Sequence, residues 1–165
     1  MKNVTDTQVL AANANSKKNA KIIIDENSSL DIKALKSRGI IARNTGIVEI
    51  KAPANTDLKR EITLTGEKSL GIYADKKGLV IIPNIKMKVD GGDGIAFADG
   101  TGTNIDLSGA DLTYKGDKYA LYAKNDGKIN VSNAKLNLDG NAIGFKLDKT
   151  KIGRASCRER VSSPV

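Results

Sequence analysis

One four-residue pattern returns along the chain and constrains its fold more than any other feature. A small residue, a branched aliphatic, a variable residue and then Ala or Phe recur as Gly39-Ile40-Ile41-Ala42, Gly71-Ile72-Tyr73-Ala74, Gly94-Ile95-Ala96-Phe97, Ala120-Leu121-Tyr122-Ala123 and Ala142-Ile143-Gly144-Phe145. Val9-Leu10-Ala11-Ala12 is a degenerate sixth copy, and the starts are separated by 30, 32, 23, 26 and 22 residues. Self-similarity at this period is the mark of a repeat architecture, in which each unit buries its apolar face only against its neighbours.

Turn chemistry follows each tetrad: Asn44-Thr45-Gly46, Lys76-Lys77-Gly78, Asp99-Gly100 with Gly102, and Asn125-Asp126-Gly127. Here glycine is expected to supply the positive φ of the corner. Two alternating segments then complete the unit. The first carries Ile22/Ile24, Ile47 with Ile50, Leu79/Ile81, Ile105/Leu107 and Ile129/Val131. The second carries Leu30/Ile32, Ile62/Leu64, Ile85/Met87/Val89, Leu112/Tyr114 and Leu136/Leu138. Period-2 alternation with polar residues between places one face of each strand inside, and no long segment keeps a helical period.

A meander would not return the same side chains to the same corner at every third strand, whereas a coil would stack them about 4.8 Å apart. The pattern therefore predicts an all-β fold, a single-stranded parallel β-helix of five to six turns with three short strands per turn. Burial of the phenylalanines selects a register in which Ile40, Ile72, Ile95, Leu121 and Ile143 face in. Two residues on, Ala42, Ala74, Phe97, Ala123 and Phe145 then also face in, and Ile41, Tyr73, Ala96, Tyr122 and Gly144 face out. The extra length of one unit falls at Ala52 to Lys59, where Pro53, Asn55 and Asp57 mark a loop.

Composition removes several chemistries. Among the 165 residues there is no histidine, so Ser-His-Asp or Cys-His catalysis and imidazole metal sites are excluded. The one cysteine, Cys157, allows no disulfide framework, and six aromatics (four Tyr, two Phe) leave an aliphatic core. Cys157 lies in a stretch, Ile152 to Val161, that looks like one reading frame of a common sequencing adapter. Residues 1–150 are expected to be the β-helix and 151–165 an artefactual, disordered tail. Without that tail the balance is 23 basic to 18 acidic residues, reducing the formal charge from +8 to +5.

Few residues invite a chemical reading. Asp90-Gly91-Gly92-Asp93-Gly94 is compared with calcium-binding β-roll repeats, but Ala96 stands where the carboxylate is needed, and a glycine-rich corner is expected instead. Asp75 and Asp99 are expected to stack at one corner with Arg43 and Lys124 on either side; an acidic pair of this kind can serve polysaccharide cleavage, but a solvated ladder of alternating charge explains it without any activity and is the reading preferred. No catalytic residue, metal site or cofactor is assigned. Scattered lysines such as Lys86, Lys88, Lys115, Lys118 and Lys135 read as a solvated face, with no nucleic-acid partner expected. The candidate ligand-binding residues are Tyr73 and Tyr122, which project from the same side two turns apart, about 10 Å from one another. Against a binding role, they would cover neighbouring aliphatic side chains such as Ile41.

The tetrads Gly71-Ile72-Tyr73-Ala74 and Ala120-Leu121-Tyr122-Ala123-Lys124-Asn125, each with its Gly corner and Asn/Lys/Ile strands, resemble the passenger regions of Gram-negative autotransporters over roughly residues 9 to 150. The resemblance implies a secreted or cell-surface segment exported through an outer-membrane barrel, a structural stalk or adhesin meeting a host or bacterial surface protein or glycan. Met1-Lys2-Asn3-Val4-Thr5-Asp6 has no apolar leader and no run is long enough to span a bilayer, so a fragment of a longer reading frame is expected, with no membrane insertion of its own and with open ends prone to end-to-end self-association. Two other readings stand beside the non-catalytic one: a fragment of a β-helix polysaccharide-degrading enzyme, and a free-standing binding module.

Overall fold

The computed structural model describes residues 4–5, 8–14 and 20–148. Among them the chain is entirely strand, turn and loop, without helix, and it winds as a parallel β-helix. The first coil comprises β1 (Val4–Thr5), β2 (Gln8–Asn13) and β3 (Lys21–Ile24), the second β4 (Leu30–Leu35), β5 (Arg38–Arg43) and β6 (Ile47–Ile50). The third has β7 (Arg60–Thr65), β8 (Leu70–Asp75) and β9 (Leu79–Ile81), the fourth β10 (Lys86–Asp90), β11 (Gly94–Asp99) and β12 (Asn104–Asp106). β13 (Asp111–Gly116), β14 (Tyr119–Lys124) and β15 (Lys128–Asn130) form the fifth; β16 (Lys135–Gly140) and β17 (Ile143–Asp148) begin the sixth. Every third strand pairs in parallel, giving a first sheet β1-β4-β7-β10-β13-β16, a second β2-β5-β8-β11-β14-β17 and a third β3-β6-β9-β12-β15.

The core is a set of aliphatic columns along the coil axis. In the first sheet Ile62, Met87 and Leu112 form one and Leu64, Val89 and Tyr114 another, all at most 1% exposed. These are the residues that alternation in the sequence selects. In the third sheet the inward residues are Val48, Val80 and Ile105, then Ile50, Ile82 and Leu107. The expected Leu79/Ile81 pair and Ile47 are thus one residue out of phase. Leu79-Val80-Ile81-Ile82 is apolar throughout, so its alternation carries no phase.

The register of the second sheet also differs from expectation. Leu10, Ile40, Ile72, Ala96, Leu121 and Phe145 share a column, and Ile41, Tyr73, Phe97, Tyr122 and Lys146 share the next. Ile95 is therefore not in the Ile72 column, and Ile143 pairs with Tyr119. Phe97 faces outward beside the tyrosines, whereas Phe145 lies in the inward Leu121 column. The cause is local: Ile95 and Ala96, like Ala120 and Leu121, are consecutive residues that both enter the core. Gly39 and Gly71 precede Ile40 and Ile72 at the same rung, where a Cβ would meet Leu64 and Met87 respectively. Each strand thus turns inward at two successive positions before alternation resumes, and a strict period of two slips by one residue. Hydrophobic burial misassigned Phe97 because the outer face of this sheet is itself partly covered.

Glycine supplies the expected positive φ at one of the four corners, where Gly100 and Gly102 stand at 99° and 80°. At the other three it is adopted by the residues before the glycine: Asn44 and Thr45 (50° and 67°), Lys76 and Lys77 (47° and 66°), and Asn125 and Asp126 (50° and 66°). Two successive left-handed residues make a type I′ turn, closed by Gly46, Gly78 and Gly127 N–H donating to the carbonyls of Arg43, Asp75 and Lys124 at 2.8, 2.8 and 2.9 Å. Glycine is needed there for close approach, since a Cβ at Gly46, Gly78 or Gly127 would collide with the carbonyl of Ala12, Ala42 or Ala98 on the coil below.

The predicted loop spans residues 51–59, between β6 and β7. Arg60, only 5% exposed, fastens it. Its guanidinium donates to the carbonyls of Lys51 and Lys59 at 3.2 and 3.1 Å and to that of Asp25 at 2.5 Å. Residues 151–165, read as an artefactual tail, lie outside the described residues.

Candidate functional site

The outer face of the second sheet gathers most of the aromatic residues. In a parallel ladder identical positions stack at the inter-strand spacing, so Ile41, Tyr73, Phe97 and Tyr122 rise as one outward column. Ile41 is 2% exposed, sealed on the outside by this column. Phe97 and Tyr122 stack at 4.8 Å with planes 6° apart, and Tyr73 meets Phe97 edge-on at 5.5 Å and 66°. Tyr119 approaches Tyr122 at 5.9 Å.

Cations close the column at both ends. The Arg38 and Arg43 guanidinium carbons lie 5.5 and 5.6 Å from the Tyr73 ring centroid, and Lys146 Nζ lies 4.8 and 4.9 Å from those of Tyr119 and Tyr122. Such contacts satisfy the negative ring faces. The hydroxyls are also engaged: Tyr73 donates to Asp75 Oδ2 at 3.1 Å and Tyr122 to Asp148 Oδ2 at 3.2 Å. Burial first, and then the Asp75 charge, raise the Tyr73 hydroxyl above its ordinary pKa.

Beside the rings runs a polar column, Asn13, Arg43, Asp75, Asp99, Lys124 and Asp148. The expected stacking of Asp75 and Asp99 is present, with Arg43 and Lys124 on either side. Asp75, 6% exposed, accepts a side-on guanidinium fork from Arg43. That hydrogen bond, followed by the Asp75 charge, raises the Arg43 pKa. Asp99 accepts from Asn125 Nδ2 at 2.8 Å. Both carboxylates are thus engaged in inter-turn contacts.

Tyr73 and Tyr122 therefore occupy the places expected for them, on one side and two turns apart, but Phe97 lies between them. Phe97 and Tyr122 turn their faces to one another, Tyr73 meets Phe97 edge-on, and cations lie over the Tyr73, Tyr119 and Tyr122 rings. Sequence reasoning missed Phe97, Tyr119, Arg38 and Lys146 as members of this surface. A signal existed: Phe97 stands five residues before Gly102, as Ile41, Tyr73 and Tyr122 stand before Gly46, Gly78 and Gly127.

At the Asp90–Gly94 corner Asp93 accepts from Lys118 Nζ at 2.6 Å, which raises the lysine pKa. Among the described residues no group of three or more His, Cys, Asp or Glu is placed to hold a metal ion. No family model matches the chain, and no curated protein or solved structure matches it.

Proposed function

We propose that this chain is a non-catalytic segment of a bacterial surface-displayed or secreted β-helical passenger, serving as a structural stalk or adhesin. The observation that supports this reading is that outward polar side chains are spent on one another between turns. Arg43 binds Asp75, Lys21 binds Glu49, Lys59 binds Asp31, and Asn125, Asn130 and Asn137 bind Asp99, Asp106 and Asp111. Such ladders stiffen a coil along its axis, the property a stalk requires. The resemblance of the GIYA-type tetrads to autotransporter passengers supplies the surface location and a host or bacterial surface protein or glycan as the partner.

Binding is assigned to the Tyr73 and Tyr122 column, the largest aromatic surface on the coil. Adhesion of the purified chain to epithelial cells and to bacterial cells tests the reading. The expected result is adhesion that Tyr73→Ser with Tyr122→Ser abolishes while the β-sheet circular dichroism persists. Unchanged adhesion in that variant removes the column as the binding surface. Turnover of uronic polymers such as pectin, lost in Asp75→Asn, would replace the stalk by the polysaccharide-degrading alternative.

A further inference from the structure

Tyr119 and Tyr122 stand on one strand and face the same way. Residues three apart on a regular strand project to opposite faces. Here Ala120 and Leu121 both turn into the core, so the tyrosines on either side of them both stand on the outer face of β14. That strand is paired on both edges, with β11 and β17, so the two rings lie within the coil and not at its end. Their centroids are 5.9 Å apart and their planes 45° from parallel, which leaves an open angle between them.

A cation already occupies that angle. Phe97 stacks on Tyr122 from the preceding coil at 4.8 Å, and Lys146 reaches over it from the following one. Lys146 Nζ lies 4.8 Å from the Tyr119 centroid and 4.9 Å from that of Tyr122, over both rings at once. A primary ammonium is a compact, strongly hydrated charge, whereas a quaternary one spreads its charge over methyl groups and is easier to desolvate on ring faces. At the rim the Tyr122 hydroxyl donates to Asp148 Oδ2 at 3.2 Å, which leaves Oδ1 for a further donor.

We infer that Tyr119 and Tyr122 form a binding site for a quaternary ammonium of the choline class, and that Lys146 is the internal competitor that fills it in the free protein. The trimethylammonium group takes the place of the Lys146 ammonium over the two rings, and the choline hydroxyl donates to the Asp148 carboxylate. That hydroxyl favours choline over a trimethyllysine side chain, which carries the same cation with no donor beside it. The inference goes beyond adhesion and holds whether or not a surface partner binds the column.

Titration of the full chain with choline chloride, followed by the tyrosine ring resonances and the choline methyl resonance, tests this. Saturable shifts of the Tyr119 and Tyr122 rings are expected, with an upfield shift of the methyl groups that lie over them. Tyr119→Leu and Tyr122→Leu should each abolish saturation while the β-sheet circular dichroism persists. Lys146→Met should tighten choline by about two- to fivefold, the release expected when an exposed cation–π competitor is removed. Asp148→Asn should weaken choline more than it weakens tetramethylammonium, which has no hydroxyl. No saturable shift in Lys146→Met, an affinity that this substitution leaves unchanged or lowers, or a trimethyllysine peptide bound more tightly than choline would each overturn the proposal.

Discussion

The guanidinium of Arg43 lies side-on against the carboxylate of Asp75 one coil away, with Nε 3.0 Å from Oδ1 and Nη2 2.8 Å from Oδ2. The arrangement joins β5 to β8 by side chains as well as backbone, and it leans on Tyr73, which donates to the same carboxylate. Asp75 is nearly buried while the Arg43 side chain is 40% exposed, so solvent weakens the attraction without removing the cost of an orphaned carboxylate. Arg43→Ala should therefore lower stability by about 1–2 kcal/mol, and Asp75→Asn in that background should recover part of the loss. Urea midpoints of the single and double variants measure this; strictly additive losses would deny the coupling.

At the Gly46, Gly78 and Gly127 corners, the residue that must be glycine is not the residue with positive φ. Gly78→Ala drives a Cβ into the Ala42 carbonyl and should cost more than about 2 kcal/mol, whereas Lys77→Gly relieves a left-handed lysine (φ 66°) and should be neutral or mildly stabilising. Thermal melts of the two variants distinguish the roles. The reverse order of stabilities would contradict the corner geometry.

Alkali should destabilise the fold through its tyrosines. Burial is the chief reason that the Tyr73 and Tyr114 hydroxyls titrate above their ordinary value of 10.0. A raised native pKa means stability that is fully present below about pH 10 and lost as pH rises through the native values. Lys118, raised by Asp93, acts in the same sense, so the tyrosine share is isolated by substitution. Urea midpoints from pH 8 to 12 should fall for the wild type and fall less steeply for Tyr73→Phe. Tyr114→Phe should also be weaker by about 1–3 kcal/mol at pH 8, because the hydroxyl donates to the buried Gly92 carbonyl at 2.9 Å and accepts from Lys118 N–H. A flat wild-type profile would contradict this.

Much of the fold was legible because the coil stacks like on like. The first-sheet columns, the 51–59 loop and the Asp75–Asp99 stack follow from alternation and spacing alone. The second-sheet register was not, because two successive inward residues break the period there and tetrad matching slid onto Gly94-Ile95-Ala96-Phe97. In a regular strand, stacking Asp99 on Asp75 also puts Phe97 beside Tyr73, so the charge ladder held the correct phase that burial overrode. Arg60 was invisible for a different reason: a cation bound only to backbone carbonyls leaves no partner in the sequence pattern.

The second-sheet register, the covered Ile41 and the candidate binding face all depend on the outward column of Tyr73, Phe97 and Tyr122. Nuclear Overhauser contacts from selectively labelled phenylalanine rings report on that column with little overlap, because the chain has only two phenylalanines. The Phe97 ring should show contacts to the rings of both Tyr73 and Tyr122, whose centroids lie 5.5 and 4.8 Å away. Contacts instead to the core methyls of Leu64 and Val89, with none to either tyrosine, would place Phe97 inside the coil and contradict it.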